Sequence, residues 1–512
     1  MTVKSSQLFP SVEASADELT VDLPVDGPTT RSPVLLALAC AAWLLCACIA
    51  TLFLLQADAS VNAQIPFAAV LAFIAGVLSA FVCAWPLKLH VALRNLLLGP
   101  WLAMAFSVVF GLATLVWLLE ARYQSTVVDR NFLIPATIAA FVGIVSAIAT
   151  YKLTPRVFVR GFDRLDAALR GRPPVRATDA SVVALWLVGI GSRILAFRFG
   201  GSAEDQLSAT SSLTQILSAG AAFGLLGTLL AGARFAANRS LVTFSILSVV
   251  LLSQLVLGFY SSSKQAVWIQ LFAVAFGYAT RRRIPFAPTL AVALVAILFV
   301  VPFQNAYRTA DDVSFGSSGS TGIEFDPGTF ATSALEADPL QTLETTARRL
   351  SRAGDLALIL EKTPSTIAYL SPAELLGAPF IAVIPRSVWP EKPVLDQSRQ
   401  MSVLYYGLPP SVSTSSAMTP YGDLWRHGGV VPLILGMAAL GFSLRLVDGR
   451  RGSASADPRI LFLPMLLFAF VVKGEASFIE MVAAFASVIV TAALAGRLVT
   501  IMSGGTERTA PR

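Results

Sequence analysis

Charge is scarce in this sequence: only 13% of its 512 residues are charged, whereas soluble domains carry about 25%. That shortage argues against a soluble enzyme. Histidine is rarer still, with two copies, His90 and His427, far apart and without a zinc-site spacing. The long polar stretch late in the chain holds no Asp-x-Asp to bind a divalent ion, so the expected chemistry uses no metal and no cofactor. No Gly-x-x-x-x-Gly-Lys-Ser/Thr occurs, and Gly189-Ile190-Gly191 lacks the third glycine of a dinucleotide loop. ATP-driven transport is thereby disfavoured. The four cysteines, Cys40, Cys46, Cys48 and Cys83, all lie in the first two apolar runs, where they read as small packing residues.

What the sequence has in abundance is apolar surface: 55% hydrophobic residues and a mean hydropathy of +0.70. Apolar runs fall at 33–56, 65–87, 96–119, 132–151, 181–197, 207–233, 241–260, 265–280, 284–302, 428–447, 460–472 and 477–500. Crossing hydrocarbon takes about 20 residues, so 265–280 and 460–472 are the weakest spans. Each run must be helical, because lipid offers no partner to an open backbone donor or acceptor. The expected fold is an all-α polytopic membrane protein with about twelve transmembrane helices.

The formal charge of +7 matters through its placement. With the N-terminus inside, 23 Lys and Arg residues fall in cytoplasmic segments and five in the short outer loops. The positive-inside bias therefore predicts an N-in, C-in chain, and nucleic acid is not an expected partner. Residues 1–32, polar and leaning acidic, read as a disordered cytoplasmic tail without a cleavable signal. Nine spans would occupy 33–302, three more 428–500, and a second cytoplasmic tail 501–512. Between the fourth and fifth spans, Phe158, Phe162, Leu165 and Leu169 recur at helical spacing with Arg156, Arg160 and Arg164 interleaved. That pattern predicts an interfacial helix on anionic headgroups, ended by Pro173-Pro174.

Residues 303–427, between spans nine and ten, form one large extracytoplasmic loop in this topology, and loops longer than about 15 residues are usually functional. Asp338-Pro339 followed by Gln341 reads as a helix start, predicting a helix over 339–362 with Arg348 and Arg352 one turn apart and Arg349 beside them. The ten-residue apolar run 375–384 is too short to span and is expected to dip into the interface. The outer side also gathers Arg308, Arg386, Lys392, Arg399 and Arg426, with Lys473 beyond. Guanidinium forks suit a departing diphosphate when no metal is present. Against that, the loop holds thirteen acidic residues, so any single arginine reads equally as a solvated surface charge. Arg193, inside the fifth run, is a candidate second diphosphate contact, since charge at membrane depth is functional by default.

Two segments carry a resemblance. One runs Pro385-Arg386-Ser387-Val388-Trp389-Pro390-Glu391-Lys392-Pro393; the other, from Thr414 to Gly429, ends in Tyr421-Gly422-Asp423-Leu424-Trp425-Arg426-His427-Gly428 at the next span. Together with Tyr307-Arg308 after the ninth span, they resemble the Wzy-type O-antigen and exopolysaccharide repeat-unit polymerases, which place such motifs in a large outer loop. The resemblance covers residues only from about 307 to 441, and the family's aromatic before the late glycine is His427 here.

The resemblance implies a glycosyltransferase of the bacterial inner membrane. A growing glycan would pass from a polyprenyl diphosphate carrier to an incoming lipid-linked repeat unit, with membrane lipids, a flippase and a chain-length regulator as partners. An acceptor hydroxyl attacking an anomeric carbon needs a base and positive charge at the leaving diphosphate. Asp423 is the first candidate base and His427 the second, with Asp423 as a helix N-cap the alternative reading. Arg193, Arg308, Arg348, Arg349, Arg352, Arg386 and Lys392 are candidate diphosphate binders. Trp389, Tyr421 and Trp425 are candidate sugar-stacking faces, alongside Tyr405 and Tyr406, although an interfacial aromatic belt also accounts for the tryptophans. Two other readings stay open: an O-antigen ligase, with the same donor and another acceptor, and a twelve-span secondary transporter, which expects two related halves.

Overall fold

The structure, a computed structural model, describes residues 61–115, 129–170, 177–198, 212–260, 264–282, 350–384, 388–393, 397–409, 418–449 and 457–503, apart from 86, 88 and 475. The regular elements among the described residues are all helical. In chain order the principal ones are α1 (Val61–Ala84), α2 (Leu98–Leu115), α3 (Leu133–Leu153), α4 (Arg156–Arg170), α5 (Asp179–Arg198), α6 (Ser212–Ala237), α7 (Leu241–Tyr260) and α8 (Lys264–Ala279). They continue with α9 (Ala353–Lys362), α10 (Ala373–Val383), α11 (Gln397–Gln400), α12 (Pro420–Arg426), α13 (Val430–Asp448), α14 (Phe462–Lys473) and α15 (Phe478–Ser503).

Eight of these, α1, α2, α3, α5, α6, α7, α13 and α15, are long and apolar enough to cross a membrane, as a multi-pass membrane protein requires. The 16 residues of α8 reach only about 24 Å at 1.5 Å per residue. The 12 of α14 reach about 18 Å, against a core of about 30 Å. Among the described residues, length and composition thus support eight spans; the expected runs at 33–56 and 284–302 lie outside those residues.

Side chains with no Cβ let the helices approach closely, as packing in lipid requires. A Cβ on Gly441 of α13 would sit 1.9 Å from the Ala147 carbonyl oxygen of α3, and one on Gly277 of α8 would sit 2.0 Å from that of Leu229 in α6. These glycines bring backbone against backbone and leave no room for any other residue.

Polar contacts fix which helix ends lie together. Asp448, at the end of α13, accepts from the backbone N–H groups of Leu98 and Gly99 at the start of α2, at 2.8 and 2.9 Å, and from the Tyr151 hydroxyl at the end of α3, at 2.9 Å. One carboxylate thereby satisfies donors that a helix start leaves open. Nearby, Lys152 Nζ donates to the carbonyls of Cys83, in the last turn of α1, and Trp85, just past it, and Arg234 of α6 pairs with Asp179 of α5 at 2.8 Å. Replacing Asp448 by alanine orphans two buried N–H groups. Thermal or denaturant unfolding in detergent is expected to show a loss of about 2–4 kcal/mol; a loss under about 0.5 kcal/mol would contradict the capping role.

The opposite end is closed by the short helices α9 to α12. One expectation and one alternative reading fail there. The helix predicted over 339–362 is interrupted: Ser351 and Arg352 are not helical, and α9 begins only at Ala353. The break is held by side chains, Ser351 Oγ bonding Thr114 Oγ1 of α2 at 2.9 Å and Arg352 pairing with Asp355 at 3.0 Å. Residues 339–349, with Arg348 and Arg349, lie outside the described residues. Nor is Asp423 an N-cap. Thr419 is, its hydroxyl accepting from Gly422 N–H at 3.1 Å, with Pro420 in the first turn and Asp423 one turn further on. The 375–384 run does form a short helix, α10, packed against α15 with Leu376 and Phe380 exposed.

Candidate functional site

The segment 418–429 carries α12 into the bundle end. Its first turn is apolar: Tyr421 meets Phe110 edge-on at 5.2 Å and Phe106 at 6.1 Å, both from α2, and it lies so close to α3 that a Cβ on Gly143 would clash with its ring. Tyr421 itself is only 4% exposed. Tyr421 is therefore enclosed by protein, and its ring faces offer no open surface to a sugar in this conformation. The Gly428-Gly429 pair, at φ 135° and 74°, turns the chain sharply into α13 with backbone geometry that other residues strain to adopt.

The remaining side chains of α12 build a buried polar cluster. Arg426 is fully buried and donates Nε to Asp423 Oδ1 at 3.0 Å, Nη1 to Gln400 Oε1 at 2.9 Å, and Nη2 to Gln397 Oε1. The second carboxylate oxygen of Asp423 accepts the backbone N–H of Ile479, at the start of α15, at 2.9 Å. Both oxygens of the first-ranked base are thus engaged, and Asp423 ties α12 to α15 directly and to α11 through Arg426.

His427 is placed differently. Its imidazole is buried, with Nδ1 2.7 Å from the carbonyl oxygen of Asp423. A carbonyl can only accept, so Nδ1 carries a proton, and it is at Nε2 that the ring can gain or lose its other one. Nε2 makes no hydrogen bond among the described residues, and the half-exposed Glu374 at the start of α10 lies 3.7 Å away through Oε2. Nε2 of a buried imidazole thus faces a carboxylate that reaches solvent.

A second cluster adjoins through α9. Asp355 is bonded by Arg352 at one oxygen and by the Tyr406 hydroxyl at the other. Thr363 shares a hydrogen bond of 2.8 Å with the Tyr405 hydroxyl, and Lys362 Nζ donates to the Tyr405 carbonyl at 2.5 Å. Burial pushes the Tyr405 phenol above its ordinary range, partly offset by the hydrogen bond with Thr363, so Tyr405 stays neutral.

The other sequence candidates scatter. Lys392 is buried and donates to the Ile384 carbonyl at 3.0 Å, bracing the turn after α10, while Trp389 on that turn is 38% exposed. Trp425 is partly buried, and its indole N–H has no partner among the described residues. Arg193 is buried within α5, five residues before its end. Arg308 and Arg386 lie outside the described residues. The structure therefore brings together Asp423, His427 and Arg426, and adds Glu374, Gln397 and Gln400, which the sequence reading missed. The two glutamines sit three apart, one helical turn, a spacing that marks a shared face; nothing in the local sequence connects Glu374 with His427.

A family model described as a domain of unknown function, DUF8712, matches residues 198–450, which span α6 to α13 and hold the whole 418–429 segment. No curated protein and no solved structure matches the chain.

Proposed function

We propose that the chain is a metal-independent membrane glycosyltransferase that joins lipid-linked oligosaccharide repeat units into O-antigen or exopolysaccharide, working at the outer face of the bacterial inner membrane. The observation that carries this reading is His427: a buried imidazole with one nitrogen fixed by a carbonyl, the other without a hydrogen bond among the described residues, and a carboxylate opposite. Glycosyl transfer needs such a group. In the proposed step, which requires the bundle end to open and admit the acceptor because the His427 side chain is 0% exposed, Nε2 takes the proton of the acceptor hydroxyl, whose oxygen forms the new bond to the anomeric carbon. The bond from that carbon to the diphosphate breaks, and the polyprenyl diphosphate leaves with the electron pair. Glu374 stabilises the imidazolium and passes its proton to solvent.

Asp423 is assigned here to holding Arg426 and the start of α15, so the order of the two candidate bases is reversed. Arg352 is the described guanidinium nearest in role to a diphosphate clamp, with Arg308, Arg348, Arg349 and Arg386 completing it in this proposal. The resemblance of the 385–393 and 414–429 segments to the Wzy-type polymerases, and buried charge in so apolar a chain, support the reading.

The test is direct. Purified protein in proteoliposomes is given a polyprenyl-diphosphate-linked repeat unit in the presence of a chelator, and the glycan is resolved by length. A ladder of products is the expected result. Transfer to a different lipid or protein, without elongation, would point to a ligase, and an unchanged donor would overturn the proposal.

A further inference from the structure

The opposite end of the bundle carries α4, whose two faces differ sharply. Its inner face is fixed to the protein: Phe158 meets Phe442 of α13 edge-on at 5.7 Å, and Val159 is buried so tightly against Gly449 that a Cβ there would come within 2.2 Å of it. Further along, Phe162 and Leu169 line a narrow crevice with Leu463 of α14 and Ile489 of α15.

The outer face is unlike an ordinary solvated helix. Arg156, Arg160 and Arg164 are all exposed, and none pairs with a described residue. The acids of the helix do not offset them, since Asp166 is turned inward at 7% exposure and Asp163 is half-buried. Where this face meets the packed one stand part-exposed apolar side chains, Val157 at 69% and Phe158 and Leu165 at 54% each, the last two also touching Phe442 and lining the crevice. Guanidinium groups without a partner among the described residues, bordered by part-exposed hydrocarbon along the flank of the same helix, fit a layer that is anionic above and apolar below. An acidic protein would satisfy the arginines and leave the apolar side chains in water.

We propose that this face of α4 is a binding surface for anionic phospholipid, with phosphodiester headgroups on Arg156, Arg160 and Arg164 and with Val157, Phe158 and Leu165 in the acyl boundary. Each arginine matches two phosphate oxygens at once, and each basic side chain near an anionic surface adds attraction that salt weakens. The surface is independent of the transferase reading, because the crevice residue Ile489 is ten residues along α15 from Ile479, about 15 Å. Through α13 and α15, lipid held here steadies the two helices that flank Asp423 and His427.

The test uses the full-length protein in a neutral detergent, titrated with phosphatidylglycerol or with phosphatidylcholine of the same chains, reading the thermal midpoint and the bound lipid by native mass spectrometry. Phosphatidylglycerol should raise the midpoint more than phosphatidylcholine does, and that preference should shrink in high salt. The R156Q/R160Q/R164Q variant should keep its lipid-free midpoint and bind phosphatidylglycerol at least about tenfold more weakly. Should the variant unfold without lipid, the salt dependence in the native protein decides instead. An equal response to both lipids, a preference insensitive to salt, or the same shift from soluble glycerol phosphate would each overturn the proposal.

Discussion

Replacing Arg426 by alanine is expected to destabilise the protein by about 3–5 kcal/mol, the usual consequence of removing one partner from a buried ion pair. The guanidinium contributes three hydrogen bonds, to Asp423, Gln400 and Gln397, and its loss leaves a fully buried carboxylate with one remaining donor, Ile479 N–H. Most of the penalty then belongs to Asp423, which predicts a rescue. In the D423N/R426M double variant the amide oxygen still accepts from Ile479 and no charge is stranded. It should recover at least half of the loss in thermal or denaturant unfolding. If R426A unfolds within about 0.5 kcal/mol of the native protein, the cluster is not what ties α11, α12 and α15 together.

The second large effect, under the proposed function, is on turnover. His427→Gln keeps a donor toward the Asp423 carbonyl but has no basic nitrogen, so it should slow glycan elongation by about 10²–10⁴-fold, the usual contribution of a positioned base. Because Nε2 makes no hydrogen bond among the described residues, folding should change by less than about 1 kcal/mol, which separates this variant from R426A. Glu374→Gln should cost less, on the order of tenfold, since it removes only the charge-assisted partner of the imidazolium. Elongation rates in proteoliposomes, beside unfolding curves, distinguish the cases. A fully active H427Q would remove His427 from the mechanism.

The contrast between Asp423 and His427 shows how far residue type alone reaches. In sequence both precede an apolar run and both are plausible bases. What separates them is a donor 56 residues away, Ile479 N–H, and an arginine one turn along. Neither is visible as a pattern, because a carboxylate is free or engaged according to what the fold packs around it. Glu374 lies outside any motif for the same reason: it reaches His427 only because α10 packs along the start of α15. The interrupted helix at Ser351 was equally hidden, since its cause is a hydroxyl on α2, 237 positions earlier.

By itself the sequence determined that this is a helical, multi-pass membrane protein, where most of its long helices run, and that an amphipathic helix joins α3 to α5. Those properties follow from local quantities: apolar run length, the need to pair every backbone donor inside lipid, and side-chain period. Only the tertiary structure decided which helix ends meet, that Asp448 caps α2, that Tyr421 points into the bundle, and that of two buried candidate bases one is bonded at both oxygens and the other keeps a nitrogen without a hydrogen bond among the described residues. Those outcomes depend on contacts between residues far apart in the chain, and a pairing energy exists only once folding has brought both partners together.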